Sequence, residues 1–595
     1  MLLACCLFSL ATAQEMPPLQ ADLARLKPQN VFPTNAADKY ELKDKNADSK
    51  PSIFTVTKQN NGAALLTAEV LAATKPHFGV QTTWKSTASI KKGDVLLARL
   101  NIRAIYAKQE SGDAVVNFLL QQALAPFTRN LLLELSVGLE WKTMEIPFLA
   151  LSDMKIGEAV IGFTFGALVQ KVEITNVEVL NFQKKTPLTA LPSTKLTYRG
   201  RENGAIWREE ALKRIEKIRT GPLSINVVDG TGKPVEGASV TVKLVQPDFV
   251  WGTAVYEALL AENLPNSANY KRYLKEFFNT GVIENGFKSP RWQGEGNRKA
   301  ETFKAFEWLQ KEGFKQRGHN LVWAGWKFNT KFVKQLAERD TAAFRAFIEQ
   351  DIRTKMAATK GKVIAWDVIN EYLHEKDFFK YLPVDIAVEW FKLAKELDPA
   401  AQLFINEYSM LNGVASPKNC QDYLDVIAEL RQKGAPIDAI GIQGHVGRQP
   451  RNPEQVITDL DLFKSTGLPV QITEFDINMP DEDLQADYTR DFLIACYSHP
   501  SVSGFTMWGF WEKAHWKPDA AMFRKDWSEK PNAAVWREWV TQKWTTNKTE
   551  KTNNQGIIQA NGHLGRYEIT ATKGDKSVKK IAQLTKNGLV VHLEL

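Results

Sequence analysis

In the central part of the chain, polar residues recur where apolar runs end. Glu284-Asn285 closes one run and is followed by Lys288, and His319 and Trp323 fall in the next. Then come Trp366-Asp-Val-Ile-Asn370-Glu371, Asn406-Glu407, Gln443-Gly-His445 and Thr473-Glu474-Phe475-Asp476, and finally Trp508 with Trp511 and Trp516 beyond it. Gathered at one mouth, they would supply paired carboxylates, neutral amides, imidazoles, an ammonium and indole faces. Cleavage of a glycosidic bond calls on that set. One carboxylic acid must protonate a poor alkoxide leaving group, a second carboxylate must meet the positive charge growing at the anomeric carbon, and aromatic faces can stack on the sugar. The chain has no Cys-x-x-Cys, no His-Glu-x-x-His and no phosphate cradle, so neither a metal nor a cofactor is expected.

The spacing of these residues asks for a scaffold that presents many strand ends on one side. Eight apolar runs can be counted: Phe249 to Val255, Gly281 to Glu284, Phe314 to Val322, Lys362 to Ile369, Gln402 to Asn406, Ile437 to Gln443, Leu468 to Glu474 and Val502 to Trp508. Amphipathic helical stretches separate them. In one, Phe344, Phe347, Ile348, Ile352 and Met356 keep a single apolar face behind an Asp340-Thr341 start. Parallel strands covered on both faces read as continuous apolar runs, and eight β/α units predict a (β/α)8 barrel with its active face at the C-terminal ends of the strands. Trp366, Trp390, Trp536 and Trp539 read as core.

The whole chain, at 595 residues, exceeds any single core, so it is expected to be multidomain. Its charge of +8 is spread along the chain without a basic block, which argues against nucleic acid. No run reaches the ~18 apolar residues of a membrane span, and Cys420 and Cys496 are too few for a disulfide framework. Residues 1–13, apolar and ending Ala-Thr-Ala, read as a secretory signal truncated at its start. Leu2-Leu3-Ala4-Cys5 gives a lipid-attachment alternative, so the expected location is secreted, periplasmic or cell-surface. Residues 14–185 carry short alternating segments with turn punctuation and predict a β-sandwich. Residues 186–220 read as a linker and helix, 221–246 as a small β-layer, 247–544 as the barrel and 545–595 as a C-terminal β segment. The two short β segments flanking the barrel are expected to pack on each other.

Taken together, the central motifs resemble the family 10 glycoside hydrolases, the endo-β-1,4-xylanases. Trp366 to Glu371 is similar to the acid/base signature, and Ile472-Thr-Glu474-Phe-Asp-Ile to the nucleophile signature. Glu284-Asn285-Gly-Phe-Lys288, Arg317-Gly-His319-Asn-Leu-Val-Trp323, Phe404-Ile-Asn-Glu407, Gly441-Ile-Gln443-Gly-His445 and Trp508 follow in the family order. The resemblance implies Glu371 as general acid/base and Glu474 as nucleophile. It implies that His445 bonds Glu474 and is oriented by Asp476, and that Asn370 holds the sugar 2-hydroxyl. Glu284, Asn285, Lys288, His319, Trp323 and Gln443 would line the glycone side, with Trp508 and Trp516 walling the sugar at the cleavage point. Polysaccharide, namely xylan, is the partner implied, with oligomeric state left open.

The family usually carries His after the tryptophan matching Trp323, whereas here that residue is Ala324. The departure keeps a shifted substrate, another β-glycan or a β-glucoside, beside xylan as an alternative. A non-catalytic glycan-binding barrel is a further alternative, opposed by the retained Glu371 and Glu474. The N-terminal sandwich resembles carbohydrate-binding modules of the family 4, 9 and 22 type in Trp141 to Phe148 and Gln170 to Val177, with Trp84 or Tyr106 as rings for a sugar and a structural spacer as the alternative.

Overall fold

A computed structural model describes residues 15–33, 36–59, 62–124, 127–294, 298–412 and 417–595. Residues 1–13, expected from the sequence to be an export signal, lie outside the described residues. The chain divides into two compact units, Met1–Thr197 with Gly447–Gln449, and Tyr198–Val446 with Pro450–Leu595.

The first unit is a β-sandwich of two antiparallel sheets. One joins Gln29–Asn30, Ile53–Lys58, Ala64–Val70, Val95–Ala107, Lys142–Leu149 and Gln170–Asn181. The other joins Glu41–Asp44, Val80–Lys85, Ala114–Gln122, Arg129–Val137 and Ala159–Thr164. Alternation drives the layering. Along Lys142–Leu149, Met144, Ile146 and Phe148 turn inward and their neighbours outward, as a half-buried strand requires. Trp84 belongs to this core: its ring packs on Phe32 and Phe163, and its indole N–H donates to the Ala36 carbonyl at 2.8 Å. That ring is spent on packing, so Tyr106, whose hydroxyl donates to Glu69, is the half-exposed one of the pair.

The second unit opens with helix Ile206–Arg219, whose Trp207, Ala211 and Ile215 are buried. Strand Thr220–Val228 then lies between Ile557–His563 and Leu589–Glu594, and Ser239–Pro247 between Asn547–Lys551 and Gly565–Lys573. The two β segments flanking the barrel therefore pair with each other and share a core of Ile225, Val240, Tyr567 and Ile569.

Between them, parallel strands close into a barrel: β1 (Val250–Val255), β2 (Thr280–Ile283), β3 (Lys315–Gly318, resuming at Val322–Trp323), β4 (Ala365–Asn370), β5 (Gln402–Glu407), β6 (Ala439–Val446), β7 (Val470–Ile477) and β8 (Val502–Met507). β1 pairs with both β2 and β8, and β4 pairs with both parts of β3, so no edge is left open. The third apolar run is thus one strand in sequence but two in space, with Asn320 and Leu321 in the gap. Trp366, Trp390 and Trp536 are fully buried. Helix Thr341–Thr359 starts on Asp340, whose side chain accepts the Ala343 N–H at 2.9 Å, and it buries Phe344, Ile348, Ile352 and Met356. It also buries Lys355, a cation that the helical repeat places on the same stripe as Phe344 and Ile352. Among the described residues no helix is long and apolar enough to cross a membrane.

Candidate active site

Parallel register does the first positioning. Asn370 at the end of β4 lies beside Asn406 of β5, while Gln443 and His445 of β6 lie beside Glu474 and Asp476 of β7. Glu371 follows β4 with φ at 58°, in the left-handed region that a side chain seldom adopts. Its backbone N–H donates to the Asn406 carbonyl at 2.8 Å. Glu407 braces the turn that follows: its carboxylate accepts the N–H groups of Leu373 at 2.8 Å and Tyr408 at 2.9 Å and pairs with His374 Nδ1 at 2.7 Å.

An amide chain joins the two carboxylates. Asn370 Nδ2 donates to Glu371 Oε1 at 3.3 Å, and Asn370 Oδ1 accepts from Asn406 Nδ2 at 2.8 Å. The same Asn406 Nδ2 donates to Glu474 Oε1 at 2.7 Å. Thr473 Oγ1 donates to Asn406 Oδ1 at 2.6 Å, which fixes the amide with its nitrogen toward the carboxylate. Gln443 Nε2 adds a bond to Glu371 Oε1 at 3.2 Å, and Trp323 Nε1 one to Glu371 Oε2 at 3.1 Å.

On the other side of Glu474, His445 Nε2 donates to Oε2 at 3.3 Å. Asp476 Oδ2 lies 3.0 Å from His445 Nδ1, an ion-pair contact off the hydrogen-bond line, and accepts Trp516 Nε1 at 2.6 Å. Burial opposes charge on Glu474, yet the nearby imidazoles of His319 and His445 and the Lys288 ammonium outweigh it and hold the carboxyl down at about 2. Burial likewise opposes charge on His445, and Asp476 and Glu474 overcome it, pushing the imidazole up to about 10. The arrangement therefore presents an anionic Glu474 against a cationic His445 near neutral pH. Burial keeps Glu284 above its ordinary value, against the pull of Lys288.

His319 is oriented from behind. Its Nδ1 donates to Asp367 Oδ2 at 2.9 Å, and Arg317 grips both oxygens of Asp367 from within the barrel, all three side chains being buried. Lys288 donates to Asn285 Oδ1 at 3.2 Å and stands 5.5 Å from the Trp323 ring and 6.0 Å from that of Trp508. Trp508 is edge-on to His319 at 5.0 Å and to His445 at 6.4 Å. Trp516, 38% exposed, lies 4.9 Å from His445 at the rim. Asn285 is also held from the short helix Glu257–Ala261 that follows β1, its N–H donating to the buried Glu257 at 3.1 Å. Ala324 is wholly buried, and its carbonyl accepts the Phe378 N–H at 3.1 Å.

The polar residues that end the apolar runs thus converge from β2 to β8. Asn406, which in sequence is only one member of a strand-end motif, is the hub of the amide chain. Arg317 and Asp367, flanking His319 and Trp366 in sequence, emerge as the support of His319. Among the described residues, no group of three or more His, Cys, Asp or Glu side chains is placed to hold a metal ion.

The model of the family described as "Glycosyl hydrolase family 10" matches residues 242–552. The chain is 32% identical over 376 residues to "Anti-sigma-I factor RsgI6" of Acetivibrio thermocellus, covering 62% of this chain and 47% of that protein. It is 29% identical over 380 residues to "Endo-1,4-beta-xylanase 1" of Arabidopsis thaliana, covering 62% of this chain and 39% of the other. The chain spans about half the length, or less, of these two relatives. The crystal structure of xylanase 10B from Thermotoga petrophila in complex with xylobiose matches with a TM-score of 0.45 at 24% identity, over 50% of this chain and 95% of that one.

Proposed function

The chain belongs to glycosyl hydrolase family 10, and from that premise we propose that it is a retaining endo-β-1,4-xylanase, cleaving internal bonds of xylan through a covalent glycosyl-enzyme intermediate. The observation that carries the reading is the amide chain Glu371–Asn370–Asn406–Glu474, which links two buried carboxylates at one mouth.

In the first step a Glu474 oxygen attacks the anomeric carbon while Glu371 gives its proton to the departing glycosidic oxygen. The C–O bond to the leaving chain breaks, and an ester to Glu474 forms. The charge of Glu474 favours a proton on Glu371 before this step and vanishes with the ester. Glu371, now a carboxylate, takes a proton from water as that water attacks the anomeric carbon and frees Glu474. His445, kept cationic, steadies Glu474 as its charge is consumed and restored. In this reading Asn370, bonded to both Glu371 and Asn406, takes the 2-hydroxyl of the sugar being cleaved. Glu284, Asn285, Lys288, His319, Trp323 and Gln443 take the glycone, while Trp508 and Trp516 wall the ring.

Ala324 favours a second reading, in which the same chemistry serves another β-glycan. A polysaccharide panel separates the two. The sandwich is proposed as a glycan-binding accessory through Tyr106, and residues 1–13 as an export signal to the outside of the cell or its surface, which fractionation checks. The deciding experiment is product analysis on glucuronoxylan with wild type beside Glu371→Ala and Glu474→Ala. Early products should keep the β-anomer, and each substitution should lower turnover by roughly 10²-fold or more. Inverted products, or variants matching wild type, overturn the assignment.

A further inference from the structure

Helix Thr341–Thr359 packs outside the barrel, yet it sends one ammonium inward. Lys355 is 1% exposed. Its Nζ donates to the carbonyls of Asn320 at 3.2 Å and Leu321 at 3.1 Å, and pairs with Asp351 Oδ2 at 2.7 Å. An ammonium has three protons and all three are used. The two carbonyls belong to the gap where β3 stops at Gly318 and has not yet resumed at Val322. Buried backbone acceptors released from a strand need a partner from elsewhere, and Lys355 supplies it from the helix behind.

The same helical turn holds a second loop. Asp351 Oδ1 accepts Gln293 Nε2 at 3.2 Å, and Thr354 Oγ1 accepts Trp292 Nε1 at 3.1 Å. Gln293 and Trp292 close the short helix Ser289–Trp292 that follows Lys288. Asp351 therefore takes one bond from the loop after β2 and, through Lys355, reaches the gap in β3. That gap lies between His319 and Trp323, and Trp323 Nε1 donates to Glu371 Oε2 at 3.1 Å.

We propose that Lys355 and Asp351 form a buckle that positions Trp323 against Glu371, so that a residue pair outside the cleft sets the aim and proton affinity of the acid/base carboxyl. The inference rests on the proposed role of Glu371 as acid and base. The Lys355 side chain is buried and that of Asp351 nearly so, at 1% and 9% exposure, and they act through Trp323, so both are positioning residues. Without the ammonium the β3 gap relaxes, the indole N–H leaves Glu371, and a donor that favoured the ionised carboxyl is lost. Glu371 then keeps its proton to higher pH.

The test uses the full chain with Lys355→Met and Asp351→Asn, which leave Glu284, Lys288, His319, His445, Glu474 and Asp476 in place. Lys355→Met is expected to lower kcat about tenfold with little change in KM, and to move the alkaline limb of kcat/KM upward by roughly one pH unit, the weight of one hydrogen bond to a charged group. Asp351→Asn should move it the same way by less, and it serves if Lys355→Met fails to fold. In a Trp323→Phe background, which already lacks the N–H, Lys355→Met should add no further shift. A ¹³C-carboxyl NMR titration of Glu371, assigned with Glu371→Gln, reads the same displacement without any substrate. The proposal is overturned if unfolding temperature falls while both limb and titration stay put, or if the shifts of Trp323→Phe and Lys355→Met add. Failure of the wild type to cut xylan with the Glu371 titration displaced as expected strikes the functional reading and spares the buckle.

Discussion

A single amide hydrogen-bond donor group, Asn406 Nδ2, serves both Asn370 Oδ1 at 2.8 Å and Glu474 Oε1 at 2.7 Å. Asn406 and Glu474 sit 68 positions apart in sequence, on β5 and β7, and only barrel closure brings them together. Thr473, next to Glu474, returns a hydroxyl to the other end of the same amide.

Asn406→Ala removes this hub while leaving both carboxylates present. We expect kcat to fall by roughly 10- to 100-fold, the kinetic equivalent of one hydrogen bond to a charged group, with a smaller change in KM. Steady-state kinetics on xylan checks it, and an unchanged kcat would remove Asn406 from the machinery.

The Glu474–His445 pair should make stability depend on pH from both sides. Glu474 titrates at about 2 in the fold against an ordinary 4.5, so its contribution is complete above 4.5 and is lost as pH falls toward 2. His445 titrates at about 10 against an ordinary 6.5, so its contribution is complete below 6.5 and is lost as pH rises toward 10. The two describe one shared interaction and do not add. The difference in unfolding temperature between wild type and His445→Gln should therefore be largest between 4.5 and 6.5 and shrink on either side.

His563, in the small β-layer away from the mouth, behaves oppositely. Burial pushes its imidazole down to about 4 from 6.5, so the unfolded chain takes up a proton that the fold refuses. The stability this group contributes is present above 6.5 and drains away as pH falls toward 4. His563→Gln should flatten the acid decline of the unfolding temperature over that interval and leave kcat unchanged. Calorimetry at stepped pH reads the first, and an equally steep decline in the variant would contradict it.

Arg317 and Asp367 form a buried ion pair beneath His319. Arg317→Met leaves the Asp367 carboxylate without its main counter-charge inside the barrel, and should destabilise the protein by about 3–5 kcal/mol in denaturant unfolding. It should also lower activity, because His319 loses its fixed anchor. A loss below about 1 kcal/mol would mean that His319 alone satisfies Asp367.

Much of the site is legible in the amino-acid sequence. Buried parallel strands are apolar until they reach the mouth, so their polar endings at Glu284, His319, Glu371, Glu407, His445 and Glu474 stand out locally. The roles of those endings are less legible. Glu407 ends a strand just as Glu371 precedes its turn, yet its carboxylate is engaged by the backbone N–H groups of Leu373 and Tyr408 and by His374. Trp84 offers an aromatic face as Tyr106 does, but its place on an inward-facing strand position spends it on the sandwich core.

The strand-and-helix order, the polar strand endings and the kinds of chemistry they carry all follow from the amino-acid order, because periodicity and residue type are local properties of a chain. Three further features arise in the folded molecule: the third apolar run breaks at Asn320 and Leu321, Asn406 joins Asn370 to Glu474, and Lys355 turns inward. Each of these depends on hydrogen-bonding groups tens of residues apart meeting where water is excluded. Periodicity marks which face of an element is buried, but it does not say which distant acceptor a buried donor will find.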